Sequence, residues 1–202
     1  MMNEPETFIG LRQVDAVVVG ASAGGVEALL TIFADLRQGF RLPLIVVLHL
    51  PDERRSQLAQ VFARRLSIKV KEAADKDMIE PGTLYFASPG YHLSVERDGS
   101  FSLSQEARVH YSRPSIDYLF ESAADTYEAR LAAILLTGAN QDGAQGIATV
   151  KQSGGLTIVQ DPEEALVSTM PQAALDRMEP DYILPLRGIG RLLVELERIE
   201  CY

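Results

Sequence analysis

Tryptophan is absent from this 202-residue chain, and cysteine occurs once, as Cys201 near the C-terminal end. A single cysteine excludes an internal disulfide framework. With no helix start or basic neighbour to depress its pKa, Cys201 is also a poor catalytic thiolate. No apolar run reaches the ~20 residues that span a bilayer. The acidic start, Met1-Met2-Asn3-Glu4-Pro5-Glu6, lacks the basic and apolar regions of a secretory signal. Basic charge is scarce: 19 Lys and Arg against 28 Asp and Glu leave a formal charge of −9. That balance speaks against DNA or RNA as a partner, because phosphate binding needs a basic field. The histidines are His49, His92 and His110, and none stands in H-E-x-x-H or a related ligand spacing, so no metal is expected. These shortages describe a soluble, cytoplasmic protein without disulfide, metal or cofactor.

What is present suits one globular core. Hydrophobic residues make up 47% and charged residues 23% of the chain, close to globular averages. No repeat and no Ser/Gly/Pro-rich linker divides it, which argues for a single domain over 1–202 with its core at about 14–196. Short Val/Ile/Leu runs recur at Val14–Gly20, Leu42–His49, Ile68–Lys71, Ala132–Thr137, Leu156–Val159 and Tyr182–Leu184. Runs that are apolar throughout, rather than alternating, predict strands covered on both faces, as in a parallel sheet. Between them, Val26, Leu29, Leu30 and Phe33 fall at helical spacing, as do Leu58, Val61, Phe62 and Leu66. Leu119, Phe120, Ala123 and Tyr127 repeat the pattern, and a last helix is expected over Ile189–Ile199. The alternation predicts an α/β fold: a doubly wound, mostly parallel, Rossmann-like sheet. Residues 83–104 break the rhythm. Leu84–Ala87, His92–Val95 and Phe101–Leu103 are short, and Asp98-Gly99 is a hairpin signal, so an antiparallel excursion is expected there.

The first strand leads into Gly20-Ala21-Ser22-Ala23-Gly24-Gly25, close to a dinucleotide fingerprint yet short of one. Ser22 occupies the place of the glycine that lets a pyrophosphate approach the backbone. The second strand ends in His49 rather than in the carboxylate that would hold a ribose. A serine on a strand-to-helix turn is exposed near helix amides that can stabilise an oxyanion. Histidine, with an ordinary pKa near 6.5, suits the task of removing its proton. In an open sheet the C-terminal strand ends converge on one crevice, where Ser22 and His49 can meet. Each also has a plainer reading, the serine as a turn or cap residue and the histidine as a structural one.

A carboxylate to orient the imidazole is expected from Asp142, just past the strand that ends at Leu136-Thr137. Its plainer role is the N-cap of a helix beginning around Gly143. Asp161 is the rival, but Pro162-Glu163-Glu164 after it reads as solvated loop. Arg54-Arg55 and Arg64-Arg65 flank one expected helix, either as solvated faces or, for Arg54 and Arg55, as a surface that steers an acidic partner.

Together these segments resemble the catalytic domain of the CheB chemoreceptor glutamate methylesterase family. The likeness runs from about Val14 to Leu196. It rests on Gly20–Gly25, Leu48-His49-Leu50-Pro51, Tyr85–Pro89 with His92-Leu93, Arg113–Ala124, Thr137–Gly146, and Gln160-Asp161 with Met170-Pro171 downstream. The resemblance implies Ser22 as nucleophile, His49 as general base and acid, and Asp142 as the orienting carboxylate. It implies hydrolysis of glutamate γ-methyl esters on the cytoplasmic helices of chemoreceptors, with deamidation of particular glutamines as a related activity. Ala23 and Ala139 take the oxyanion-side positions, where the family often has threonine and a Met-Gly pair. Arg113, Met170, Tyr111 and Ser115 fall at motif positions that line the cleft. The family usually carries a receiver domain ahead of the esterase, whereas the first strand here begins at Val14, so an esterase without that domain in the same chain is expected. Two alternatives stay open: a non-catalytic adaptor of the same fold, and a Rossmann-like dinucleotide binder.

Overall fold

The computed structural model describes Phe8, residues 10–50 and residues 57–200. Pro51, Arg54, Arg55 and Cys201 lie outside the described residues. Strands β1 (Ala16–Ala21), β2 (Leu44–Leu48), β3 (Lys69–Glu72), β4 (Thr83–Phe86), β7 (Leu131–Leu135), β8 (Leu156–Gln160) and β9 (Tyr182–Leu184) form one sheet, with β5 (His92–Val95) and β6 (Phe101–Ser104) as a separate antiparallel pair. Every pairing in the seven-stranded sheet is parallel, in the order β3-β4-β2-β1-β7-β8-β9. Every residue of β1, β2, β7 and β8 is buried, because apolar side chains on both faces can be satisfied only by helices on both faces.

Those helices divide by the two-residue period of the strands. Val17, Val19, Leu44 and Val46 share a core with α1 (Gly25–Ile32), α2 (Leu58–Ala63) and α6 (Leu186–Glu200). Ala16, Val18, Ile45 and Val47 face α3 (Ile116–Tyr127), α4 (Ala144–Gln152) and α5 (Thr169–Leu175), as does the hairpin. From β1 the chain builds outward through β2 to one edge, then returns to place β7 on the other side of β1. The β1–β7 junction is therefore the topological switch point, where open α/β sheets form their crevice.

Two expectations need correction. The segment at Leu84 belongs to the parallel sheet as β4, paired with β2 and β3, and only the β5–β6 hairpin is the antiparallel excursion. All four residues of β4 are buried, which suits an inner strand rather than an excursion. The last helix begins at Leu186, a turn before Ile189. Helix α5 was not foreseen, being seven residues long with Pro171 in its first turn, where a missing N–H costs nothing. Among the described residues, no helix is long and apolar enough to cross a membrane.

Candidate active site

Alternation along the strands carries Ser22 and His49 to the same side. Val18 and Val47 face α3 and α4. Continuing the two-residue period past each strand end aims residues 22 and 49 the same way. The ladder itself continues: Ala21 pairs with Leu48, His49 N donates to Ala21 O at 3.0 Å, and Ser22 N donates to Thr137 O at 2.9 Å. Neighbouring strands lie about 5 Å apart, so the two side chains start from adjacent backbone positions. Gly24, with φ 80°, turns the chain from β1 into α1 and leaves Ser22 half-buried. Thr137, whose role was not foreseen, ties this turn down: its Oγ1 donates to Ala23 O at 2.9 Å and accepts from Val167 N at 2.9 Å.

The carboxylate at His49 is that of Asp142, and its environment differs from the expected cap of its own helix. Asp142 is fully buried and caps α3 instead, accepting from Ile116 N at 2.7 Å, Asp117 N at 3.1 Å and Ser115 Oγ at 2.8 Å. Asp117 caps α4 in return, accepting from Gly143 N at 2.9 Å and Gly146 N at 2.6 Å. Each carboxylate thus terminates the other's helix, which welds α3 to α4 beneath the site. Close approach of α3 to the sheet depends on Gly20, where a β-carbon would lie 2.3 Å from Ile116 Cγ2.

His49 Nε2 lies 2.8 Å from Asp142 Oδ2. An ionised carboxylate only accepts, so Nε2 carries the proton and Nδ1 carries the lone pair. Burial pushes the Asp142 carboxyl up, but the hydrogen bonds from His49 and from the Ile116 and Asp117 amides outweigh it and hold the group below its ordinary value. It is an anion at neutral pH, suited to orienting the ring and supporting an imidazolium. Asp117 goes the other way. Burial raises its carboxyl to about 6, the Gly146 amide opposes this, and the Asp142 charge adds to the rise. The rival Asp161 instead caps its own loop, accepting from Glu163 N at 2.9 Å.

The lone-pair side of His49 is occupied differently from the expectation. Ser112 Oγ lies 3.5 Å from His49 Nδ1 and accepts from Asn140 Nδ2 at 3.4 Å. Ser22 Oγ has no hydrogen-bond partner among the described residues. Sequence reasoning passed over Ser112, although it stands directly before the Arg113-Pro114 motif. The remaining candidates separate. Ala23 and Ala139 are exposed, and among the described residues neither donates its amide to a hydrogen bond. Arg113 lies at the cleft, its Nη1 donating to Gln105 O and Glu106 O at 3.0 Å each. Ser115 does not line the cleft; it is the buried N-cap of α3. Met170 is fully buried against Gly138, so it shapes the 138–139 segment from beneath rather than lining the cleft.

His92 is structural. It accepts from Ser115 N at Nδ1 (3.2 Å), which leaves Nε2 to donate to Ala107 O (3.0 Å), and its ring stacks on Tyr118. Among the described residues, no three His, Cys, Asp or Glu side chains converge as a ligand set. The cleft over His49, walled by Leu50, Tyr111, Ser112, Arg113 and Pro114, encloses about 220 Å³. That is below the ~300–1,000 Å³ of pockets that bury drug-sized ligands.

A family model described as CheB methylesterase matches residues 17–193. A Leptospira interrogans protein, provisionally named protein-glutamate methylesterase/protein-glutamine glutaminase, is 42% identical over 91% of this chain and 95% of its own length. A Thermotoga maritima protein-glutamate methylesterase/protein-glutamine glutaminase is 33% identical over 89% of this chain, which spans 53% of that protein. The crystal structure of the Thermotoga maritima CheB methylesterase catalytic domain superposes with a TM-score of 0.86 at 33% identity, covering 92% of this chain and all of that one. Sequence and fold agree: the chain belongs to the CheB methylesterase family.

Proposed function

We propose that this chain hydrolyses glutamate γ-methyl esters on the helices of chemoreceptors, with Ser22 as nucleophile and the His49–Asp142 pair as its base. The observation that carries this reading is the 2.8 Å contact of His49 Nε2 with a fully buried carboxylate, at the strand end beside Ser22. The reaction starts with Ser22 Oγ engaging Nδ1, the nitrogen that Ser112 Oγ faces at 3.5 Å in this structure. Catalytic hydrogen bonds commonly tighten in this way only when substrate is bound.

Attack by Oγ on the ester carbonyl passes its proton to Nδ1 and leaves a tetrahedral oxyanion, which the amides of Ala23 and Ala139 are free to receive. The imidazolium, supported by Asp142, returns that proton to the leaving methoxide, and methanol departs. Water, deprotonated by Nδ1, then attacks the acyl-Ser22 ester and releases the glutamate carboxylate and free serine. With a glutamine side chain the same steps release ammonia. Because backbone amides need no particular side chain, alanine at 23 and 139 is compatible with both steps.

The test is methanol release from a chemoreceptor cytoplasmic fragment carrying methyl-labelled glutamate esters. Ser22→Ala is expected to lower the rate by on the order of 10³ or more, while Ser112→Ala keeps at least about a tenth of it. A Ser22→Ala protein as active as the parent, or a larger loss from Ser112→Ala, rejects Ser22 as the nucleophile. Full receptor binding without any turnover would favour the adaptor reading.

A further inference from the structure

Val109 N donates to Ser112 O at 3.1 Å and Ser112 N to Val109 O at 2.8 Å, closing a two-residue loop of His110 (φ 47°) and Tyr111 (φ 65°). Two successive positive φ values favour Asn and Gly, because a β-carbon is strained there. The strained pair is held in place by its surroundings. Arg108 Nη1 donates to Tyr111 O at 3.4 Å, Gln141 Nε2 donates to His110 Nδ1 at 3.4 Å, and His110 Nε2 lies 3.6 Å from Asp117 Oδ2. This bracing presents an aromatic ring to solvent. Tyr111 is 95% exposed, more than any other large hydrophobic side chain described. The fold gains no burial from it.

The ring stands at the rim of the cleft that holds His49 and Ser112. Among the described residues, those lining that cleft include Arg108 and Arg113 and no carboxylate, in a chain whose net charge is −9. A cleft of about 220 Å³ accepts one side chain, so a contact outside it matters only to a substrate that extends beyond the reacting residue. We propose that the Val109–Ser112 turn is a docking finger for the polypeptide that carries the ester. Tyr111 packs on an apolar side chain near the reacting residue, and the positive charge of Arg113 at the cleft favours a segment rich in carboxylates. The proposal rests on the esterase reading and specifies what that site recognises.

The test uses three probes. One is a peptide of about 20 residues, long enough for helix formation, with a single γ-methyl-glutamate flanked by glutamates and a leucine. The second has lysines for the flanking glutamates, and the third is N-acetyl-γ-methylglutamate amide. Tyr111→Ala and Tyr111→Gly are each expected to lower the ratio of kcat/KM for the acidic peptide over that for the amide by about tenfold. The same substitutions should raise the Kd of the labelled acidic peptide by about tenfold in a Ser22→Ala background, where no turnover intervenes, and the lysine peptide should bind about tenfold more weakly than the acidic one. Tyr111→Gly relieves the strained φ, so its Tm should rise by about 2–4 °C while docking is lost, which a merely structural role would not produce. An unchanged ratio and Kd in both variants, or equal binding of the two peptides, overturns the proposal. Absence of methanol from every probe would overturn the esterase reading instead, and the Kd values would still decide the docking.

Discussion

Replacing Asp142 by asparagine keeps the shape and removes the charge, and the surroundings of this residue set the size of the effect. Its Oδ1 accepts from Ser115 Oγ and Asp117 N, and its Oδ2 from Ile116 N and His49 Nε2. An amide has one acceptor oxygen, so either orientation sets an NH2 group against a backbone N–H. With the NH2 in the Oδ2 position, Ile116 N is orphaned and His49 must accept at Nε2, which puts its proton on Nδ1 and blocks the base. With the NH2 in the Oδ1 position, Asp117 N is orphaned and the tautomer survives, but the imidazolium loses its counter-charge. One buried orphaned amide costs about 1–3 kcal/mol, or about 3–10 °C in Tm for a chain of this size. The activity falls much further, by on the order of 10² to 10⁴ in kcat, depending on which orientation prevails. Steady-state methanol release and a thermal melt measure the two effects separately. A second signature is independent of turnover. The Asp142 charge helps to hold the Asp117 carboxyl up at about 6, so a carboxyl NMR titration should find Asp117 lower in the variant. An asparagine variant within threefold of the parent kcat, with Asp117 unmoved, would refute the roles assigned to this carboxylate.

The crossed caps give opposite responses to pH. Asp117 binds its proton more tightly folded (about 6) than unfolded (3.8). Its contribution is therefore fully present below about pH 4 and is lost as pH rises through 6, by up to about 3 kcal/mol. Asp117→Asn, which keeps an acceptor for Gly143 N and Gly146 N, should remove that decline, as urea unfolding at pH 4 and 7 would show; an identical decline in the variant would contradict it. Asp142, held below its ordinary value, contributes stability at neutral pH that disappears as acid protonates it below about pH 4. Gly20→Ala drives a β-carbon to 2.3 Å from Ile116 Cγ2 in a fully buried site. It should cost about 1–3 kcal/mol by denaturant unfolding, and a neutral result would mean that α3 has room to retreat.

Much of this was legible in the residue pattern because β1, β2, β7 and β8 are buried on both faces, and a continuous apolar run of strand length is satisfied in few arrangements besides a covered parallel sheet. His49 stood out for a related reason: a titratable residue directly after such a run lies at the C-terminal strand ends, where an open sheet forms its crevice. What escaped the pattern depends on contacts between distant segments. Asp142 reads locally as a cap for the helix after it, and only the packing of α3 against α4 assigns it to Ile116 and Asp117, 26 and 25 residues away in sequence. Ser112 meets His49 across 63 residues, from a turn whose two positive φ values nothing in His110-Tyr111 announces. Thr83–Phe86 looked like part of the hairpin region because its length matches β5 and β6, and only its burial on both sides distinguishes it. Met170 shows the reverse error, since its position in a motif says nothing of whether its side chain faces the cleft or, as here, the underside of Gly138.

Covalent trapping of the serine is the most direct measurement. A fluorophosphonate ester, followed by peptide mapping, should place one adduct on Ser22, with a rate that collapses in His49→Gln and survives in Ser112→Ala. An adduct on Ser112, or none on Ser22 while methanol is still being released, would contradict the account at its base.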